Sequence, residues 1–226
     1  MSYAIAIDGP AGAGKSTIAK ILAKDLNLIY VDTGALYRAL GYGMLTRGSD
    51  PADEERVVAA LEGLQVALAH RQGEQRVLLC GEDISDRIRT PEVSMAASRV
   101  SAIPAVRAFL LQLQRDMAAS QSVVMDGRDI GTVILPQAEV KIFLTASPES
   151  RAQRRFLELK EKGIPTTFDE VLADMNKRDY EDSHRVSAPL RQAEDAVLAD
   201  TSELTLEQSV ALLKDIVARQ LAAAEG

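Results

Sequence analysis

Tyr3-Ala4-Ile5-Ala6-Ile7 runs through Asp8 into Gly9-Pro10-Ala11-Gly12-Ala13-Gly14-Lys15-Ser16, and this junction decides the fold. The first five residues are a short apolar run of the kind buried in a parallel sheet. The following eight match G-x-x-x-x-G-K-S. Glycine at 9, 12 and 14 lets the backbone turn tightly and aim its N–H groups inward at a phosphate chain. Lys15 adds a cation for the β- and γ-phosphates, and the Ser16 hydroxyl is placed to ligate Mg²⁺. Past Thr17, the residues Ile18, Ile21, Leu22 and Leu26 share one side of a predicted helix. The loop therefore lies at a helix N-terminus, where unpaired N–H groups and the dipole favour an anion. A strand before, a helix after and Lys-Ser in register make Gly9 through Thr17 a nucleoside triphosphate site, with Mg²⁺ expected beside the phosphates.

Composition narrows what surrounds this site. At 226 residues the chain fits one α/β core with excursions or a small subdomain. A net charge of −7 argues against a nucleic-acid groove spread over the surface, so clustered arginines read as a local anion site. Aromatic residues make up only 4% and Trp is absent, which disfavours base stacking on an aromatic platform. Cys80 is the single cysteine, so no intrachain disulfide or cysteine metal cluster forms, and it reads as a small buried or half-buried apolar residue. The chain starts on a strand instead of a cleavable leader, and no apolar run approaches about 18 residues. The expectation is a cytoplasmic protein with no membrane partner.

Outward from the loop, five apolar runs read as buried parallel strands: 3–7, 28–31, 123–125, 140–144 and 196–198. Helical patterns at 15–26, 34–47, 104–119, 148–162, 167–183 and 204–222 separate or follow them. Alternation of this kind predicts an α/β fold, a five-stranded parallel sheet flanked by helices. Between 50 and 92 the pattern changes: a helix over 52–63 precedes the runs 64–68 and 76–80, which flank a polar loop, His70 to Gln75. That stretch reads as a small antiparallel insertion, not a sixth strand of the main sheet.

Ligands of open parallel sheets bind beyond the carboxyl ends of the strands, and polar residues gather there. Strand 28–31 runs into Asp32-Thr33-Gly34-Ala35-Leu36-Tyr37-Arg38, and strand 123–125 into Asp126-Gly127-Arg128-Asp129-Ile130-Gly131-Thr132. An acid straight after a core strand suits ordering Mg²⁺ or its waters. Asp126 is the first candidate and Asp32 the second, the competing role for Asp126 being a cap on the next segment. Arg128, between two aspartates in a glycine-flanked loop, suits bidentate phosphate binding. Arg151, Arg154 and Arg155 share a helix face by spacing, with Glu158 able to offset Arg154; they read as a phosphate site or as a solvated basic face. Arg178, Asp182 and Arg185 fall at i, i+4 and i+7 of a predicted helix, as a ligand site or a surface ion-pair network. Asn176-Lys177-Arg178-Asp179 imitates the guanine-reading string of GTPases, but its surroundings are helical and no D-x-x-G accompanies it.

These segments together resemble the bacterial type of cytidylate kinase, within the nucleoside monophosphate kinases. The matching pieces run from Ile7-Asp8-Gly9-Pro10 through Asp32–Arg38, Gly81-Glu82-Asp83, Ile88-Arg89-Thr90, Ser98 with Arg107, Asp126–Thr132 and Lys141–Leu144 to Arg178-Asp179 with Asp182 and Arg185. The resemblance implies that Arg38, Arg128 and Arg178 hold the monophosphate, with Thr33 and Tyr37 among the substrate-binding residues. Asp182 falls at the sugar, while Ser98, Arg107, Asp129 and Arg185 fall where the family reads cytosine. Arg151, Arg154 and Arg155 match a LID closing over ATP, so Lys15, Arg128, Arg151 and Arg155 would neutralise the transferred group and Arg154 would help bind ATP. It also implies a division into a P-loop core (1–34, 104–147 and 166–226), a monophosphate-binding part (35–103, with the insertion at about 64–90) and a LID (148–165). The expected reaction is phosphoryl transfer from ATP to CMP, and to dCMP, by a monomer. The rivals are kinases for UMP, AMP or shikimate and a non-catalytic nucleotide switch.

Overall fold

The five apolar runs become strands of one sheet: β1 (Ala4–Asp8), β2 (Ile29–Asp32), β6 (Val123–Gly127), β7 (Val140–Thr145) and β8 (Val197–Asp200), ordered β2-β6-β1-β7-β8. The computed structural model describes residues 3–71 and 74–224. β1 lies at the centre, pairing in parallel with β6 (Ile5 opposite Val124, Ile7 opposite Asp126) and with β7 (Ile5 opposite Val140, Ile7 opposite Ile142). Every residue of β1 and β6 is buried, which is why these strands read as unbroken apolar runs without alternation. α1 (Lys15–Asp25) and α8 (Leu206–Ala224) cover the sheet, packing Ile18, Leu22, Leu213, Ile216 and Val217 against Ile5, Val124, Ile142 and Leu144.

The described chain forms two compact units. One holds the residues up to Tyr30 together with those from Gln121 onward, and the other is Val31–Ser120. β2 carries the chain from the first to the second. Besides the sheet, the first unit contains α6 (Pro148–Glu161) and α7 (Phe168–His184), which close a small core of Ala152, Val171 and Met175. Ser147 caps α6 through its hydroxyl, and a capping box of Thr167 with Glu170 starts α7.

In the second unit, α2 (Thr33–Thr46) packs Leu36, Leu40 and Met44 against Val57 and Leu61 of α3 (Glu54–Leu61), Val100 of α4 (Pro91–Ser101) and Val106 and Leu110 of α5 (Pro104–Ser120). α2 crosses α4 at Gly41, where a Cβ would lie 2.8 Å from the Ala97 nitrogen; only glycine allows that approach. Residues 104–120 belong to this unit. α4 went unread, although Thr90 accepting from the Val93 N–H, followed by Pro91, is a helix start visible in the sequence.

The insertion is the expected antiparallel sheet, ordered β3-β4-β5 (Val66–Arg71, Glu74–Leu79, Glu82–Asp83). Its hairpin strands run further than the polar loop 70–75 suggested, pairing as far as Arg71 with Glu74; Gln72 and Gly73 of that loop lie outside the described residues. Cys80 corrects the burial expected of it. It is exposed, with φ 49°, in the turn before β5. Among the described residues no single helix is long and apolar enough to cross a membrane.

Candidate active site

Within the first unit, the loop between β1 and α1 is shaped by its glycines. Gly9 adopts φ 149°, and a Cβ there would sit 1.9 Å from the Leu144 carbonyl oxygen of β7, so no other residue fits beneath the loop. Gly12 and Gly14 also have positive φ, and Gly14 is the N-cap of α1. Lys15 folds back over the loop, its Nζ donating to the Gly9 and Pro10 carbonyls at 2.7 Å each. Burial, with the charge of Arg128, pulls the Lys15 pKa well below that of an ordinary lysine.

Ser16 donates its hydroxyl to Asp126 Oδ2 at 2.9 Å, and the Tyr30 hydroxyl donates to Asp126 Oδ1 at 2.8 Å. Asp126 is buried, one residue before the end of β6. Asp32 takes a structural role, its Oδ1 accepting from the Ala35 N–H to cap α2 and its Oδ2 pairing with Arg38 at 2.6 Å. Of the two metal candidates, Asp126 is the one placed at Ser16. Hydroxyl and carboxylate oxygen side by side are the hard donors that suit Mg²⁺. Tyr30 was missed, because an aromatic residue in a buried strand reads as packing.

The loop after β6 carries Arg128 and Asp129 into a buried ion-pair network. Arg128 Nε donates to Asp182 Oδ2 at 2.8 Å; Arg185 lies 3.9 Å from Asp182 Oδ1 and 3.5 Å from Asp129 Oδ1. Asp182 and Asp129 are 7% and 3% exposed, which rules out a solvated surface network. Burial would raise the Asp182 pKa, but Arg128, with Arg178 and Arg185, holds it below the usual carboxylate value. Arg185 does not continue the helix as its spacing suggested. α7 ends at His184, and Arg185 follows in extended backbone with its Nε on the Ala188 carbonyl. The loop itself closes as a short π-helical turn, Ile130–Ile134.

What pins that turn is Asp8, which the sequence reading left inside a motif without a role. Its two carboxylate oxygens accept the Ile130 and Gly131 N–H groups at 2.7 Å each. It is 4% exposed, and burial pushes its pKa up to about 6 against those two donors, with the charge of Asp129 adding to the rise. An acid ending an otherwise apolar buried strand was the available signal.

The three arginines of α6 part company. Arg151 is buried, forks onto both oxygens of Asp179, and donates to the carbonyls of Ala146 and of Ala11 in the phosphate loop. It thus ties α6 and α7 to the loop and is not part of a solvated face. Arg154 donates to the Thr201 carbonyl. Glu158 pairs with Arg155 at 2.7 Å and with Lys162, not with Arg154 as the spacing suggested. α6 ends at Glu161 with Lys162 as its C-cap, and Gly163 follows with φ 69°.

The second unit holds the remaining candidates. Thr33, Tyr37 and Arg38 occupy the first two turns of α2, and Thr33 and Tyr37 are buried. The Arg107 guanidinium stands 5.5 Å from the Tyr37 ring centre and donates to the Ser101 carbonyl, while Ser98 is half-buried on α4.

A sequence model of the cytidylate kinase family matches residues 5–219. Proteins named cytidylate kinase from Caldicellulosiruptor saccharolyticus (52% identical over 204 residues, 90% of either chain) and Carboxydothermus hydrogenoformans (50% over 216 residues, 96% of this chain and 97% of the other) are similar to it. A third, from Lactobacillus johnsonii, is 47% identical over 216 residues, covering 96% of this chain and 94% of its own. Among solved structures, an uncharacterized protein from Eubacterium ventriosum superposes with a TM-score of 0.52 at 12% identity, covering 95% of this chain and 97% of its own, a likeness of fold alone.

Proposed function

The chain belongs to the cytidylate kinase family, and from that premise we propose that it transfers the γ-phosphoryl group of ATP to CMP, giving ADP and CDP, with dCMP as a second acceptor. The observation that carries this reading is a second cationic set within the unit that holds the phosphate loop. Arg128 and Arg185 pair with Asp182, the charge of Arg178 also acts on it, and the charge of Arg128 reaches Lys15. A nucleotide switch needs no second anion site; a kinase with a phosphate acceptor does.

The acceptor phosphate is already an anionic nucleophile, so no residue has to act as a general base. The protein's work is positioning and charge neutralisation along an in-line transfer. Gly9 through Thr17 would cradle the donor phosphates, with Lys15 exchanging its loop carbonyls for phosphate oxygens. Arg38, Arg128 and Arg178 would grip the acceptor phosphate, and Arg151 and Arg155, with Arg154, would close on ATP. Ser16 and Asp126 would hold Mg²⁺, which supplies neutralisation of phosphate charge. Asp182 offers a carboxylate for sugar hydroxyls.

Cytosine presents a 4-amino donor and acceptors at O2 and N3, which suit a carboxylate at Asp129 and cations at Arg107 and Arg185, with Ser98 adding a hydroxyl. Uracil would turn a carbonyl towards Asp129 and leave buried polar groups unpaired. Segments 35–103 and 148–165 are the proposed acceptor-binding part and LID of a cytoplasmic monomer.

The test is ADP release and product analysis with ATP·Mg²⁺ and a panel of CMP, dCMP, UMP, AMP and shikimate. CDP and dCDP are expected. No CDP at saturating substrates overturns the reading, and calorimetric binding of CMP without ATP separates a kinase from a switch.

A further inference from the structure

The insertion between α3 and α4 holds none of the residues given a role above, yet it is built firmly. Arg76 bridges Asp83 at 2.9 Å and Asp86 at 3.1 Å, tying β4 to β5 and the turn beyond it. The Ser85 hydroxyl accepts from the Val77 N–H at 2.8 Å. Alternation along β4 puts Gln75 and Val77 on one face. Val77 is buried with Ile84 and Ile88 against Ala35 and Ala39 of α2.

Gln75, two residues earlier, reaches the end of β2. Its Oε1 accepts the Asp32 N–H at 2.8 Å, and its Nε2 points back at the Asp32 carbonyl at 3.5 Å. β2 is the outermost strand of the sheet order, and the N–H and C=O of one strand residue point the same way. The primary amide of Gln75 therefore serves Asp32 as a one-residue substitute for a neighbouring strand.

Asp32 in turn commits its carboxylate to the start of α2, with Oδ1 on the Ala35 N–H and Oδ2 on Arg38. The Nε of Arg38 is buried and makes no hydrogen bond among the described residues, so the guanidinium is anchored on one side and has a donor to spare. A swing of the Asp32 backbone would carry that anchor with it.

We propose that Gln75 is a positioning residue: through Asp32, the insertion sets the guanidinium of Arg38 for the acceptor phosphate. The proposal rests on the reading above in which Arg38 binds that phosphate, and it gives the insertion a part in acceptor binding.

CMP is titrated calorimetrically into wild-type protein, Gln75→Met, Arg38→Lys and the double variant, and the KM for ATP is measured for each. Gln75→Met keeps the side-chain length and removes both hydrogen bonds. It should weaken CMP binding about fivefold, the worth of a typical net hydrogen bond, and leave the KM for ATP unchanged. In the Arg38→Lys background the same change should add little, because its effect passes through Arg38. If Arg38→Lys binds CMP as the wild type does, the reading of Arg38 falls and the proposal with it. If Arg38→Lys is weakened but Gln75→Met is not, the proposal alone is overturned. The same holds if Gln75→Met weakens CMP equally in both backgrounds or raises the KM for ATP in step.

Discussion

The loop after β1 and the loop after β6 begin on adjacent central strands and keep their shapes by opposite means. The first is shaped by what its residues lack: Gly9 sits where a Cβ would strike the Leu144 carbonyl, and Gly12 and Gly14 take positive φ. The second has no left-handed residue. It is held by groups supplied from elsewhere, Asp8 on its N–H groups and Asp182 and Arg185 on its charged side chains. A loop held by steric exclusion leaves a string of glycines in the sequence. A loop held by distant partners leaves only scattered charges, which have to be brought together by the fold.

The difference can be broken at either loop. Gly9→Ala should be the most damaging change, because the clash and the positive φ act together. A loss of stability above about 4 kcal/mol is expected in a melting experiment, with no activity left to measure. A soluble variant melting like the wild type would mean that steric exclusion does not shape this loop. Arg128→Ala should cost about a hundredfold or more in kcat. It should also destabilise the protein, by about 3 kcal/mol, because buried Asp182 loses its main partner. A rate near that of the wild type would make Arg128 structural only. Asp129→Ala should leave ATP binding intact and narrow the preference for CMP over UMP, by roughly tenfold or more; an unchanged preference removes Asp129 from base reading.

The smallest effect concerns Asp8 and pH. Its carboxyl titrates at about 6 in the folded protein, above the ordinary 3.8, because burial disfavours the charge. A raised acid holds its proton more tightly when folded, so its titration contributes stability that is full below pH 3.8 and is lost as pH rises through 6. The stability of the wild type relative to Asp8→Asn, measured by denaturant unfolding, should therefore fall between pH 4 and pH 7. A flat difference would show an unperturbed carboxyl.

Legibility followed the same physical line. The apolar strands, the phosphate loop and most helices were readable because burial, glycine geometry and helical spacing are local in sequence. α4 was readable and missed, its Thr90-Pro91 start being a local signal. Asp8 stood out as an acid ending an apolar strand, but its partners Ile130 and Gly131, like Arg151 for Asp179 and Asp126 for Tyr30, are distant in the chain and so were not legible. The arginines of α6 show the limit from the other side. Their spacing placed them on one face, but it could not say that one would be buried against Asp179 while its neighbours found a carbonyl and a glutamate.

Cys80 gives the insertion a practical handle. It is the chain's single cysteine, it is exposed, and it directly follows the strand that carries Gln75. A maleimide fluorophore would therefore label each molecule once, on the insertion, with no other thiol to remove by mutation. Its emission would follow the surroundings of that small sheet while CMP is added.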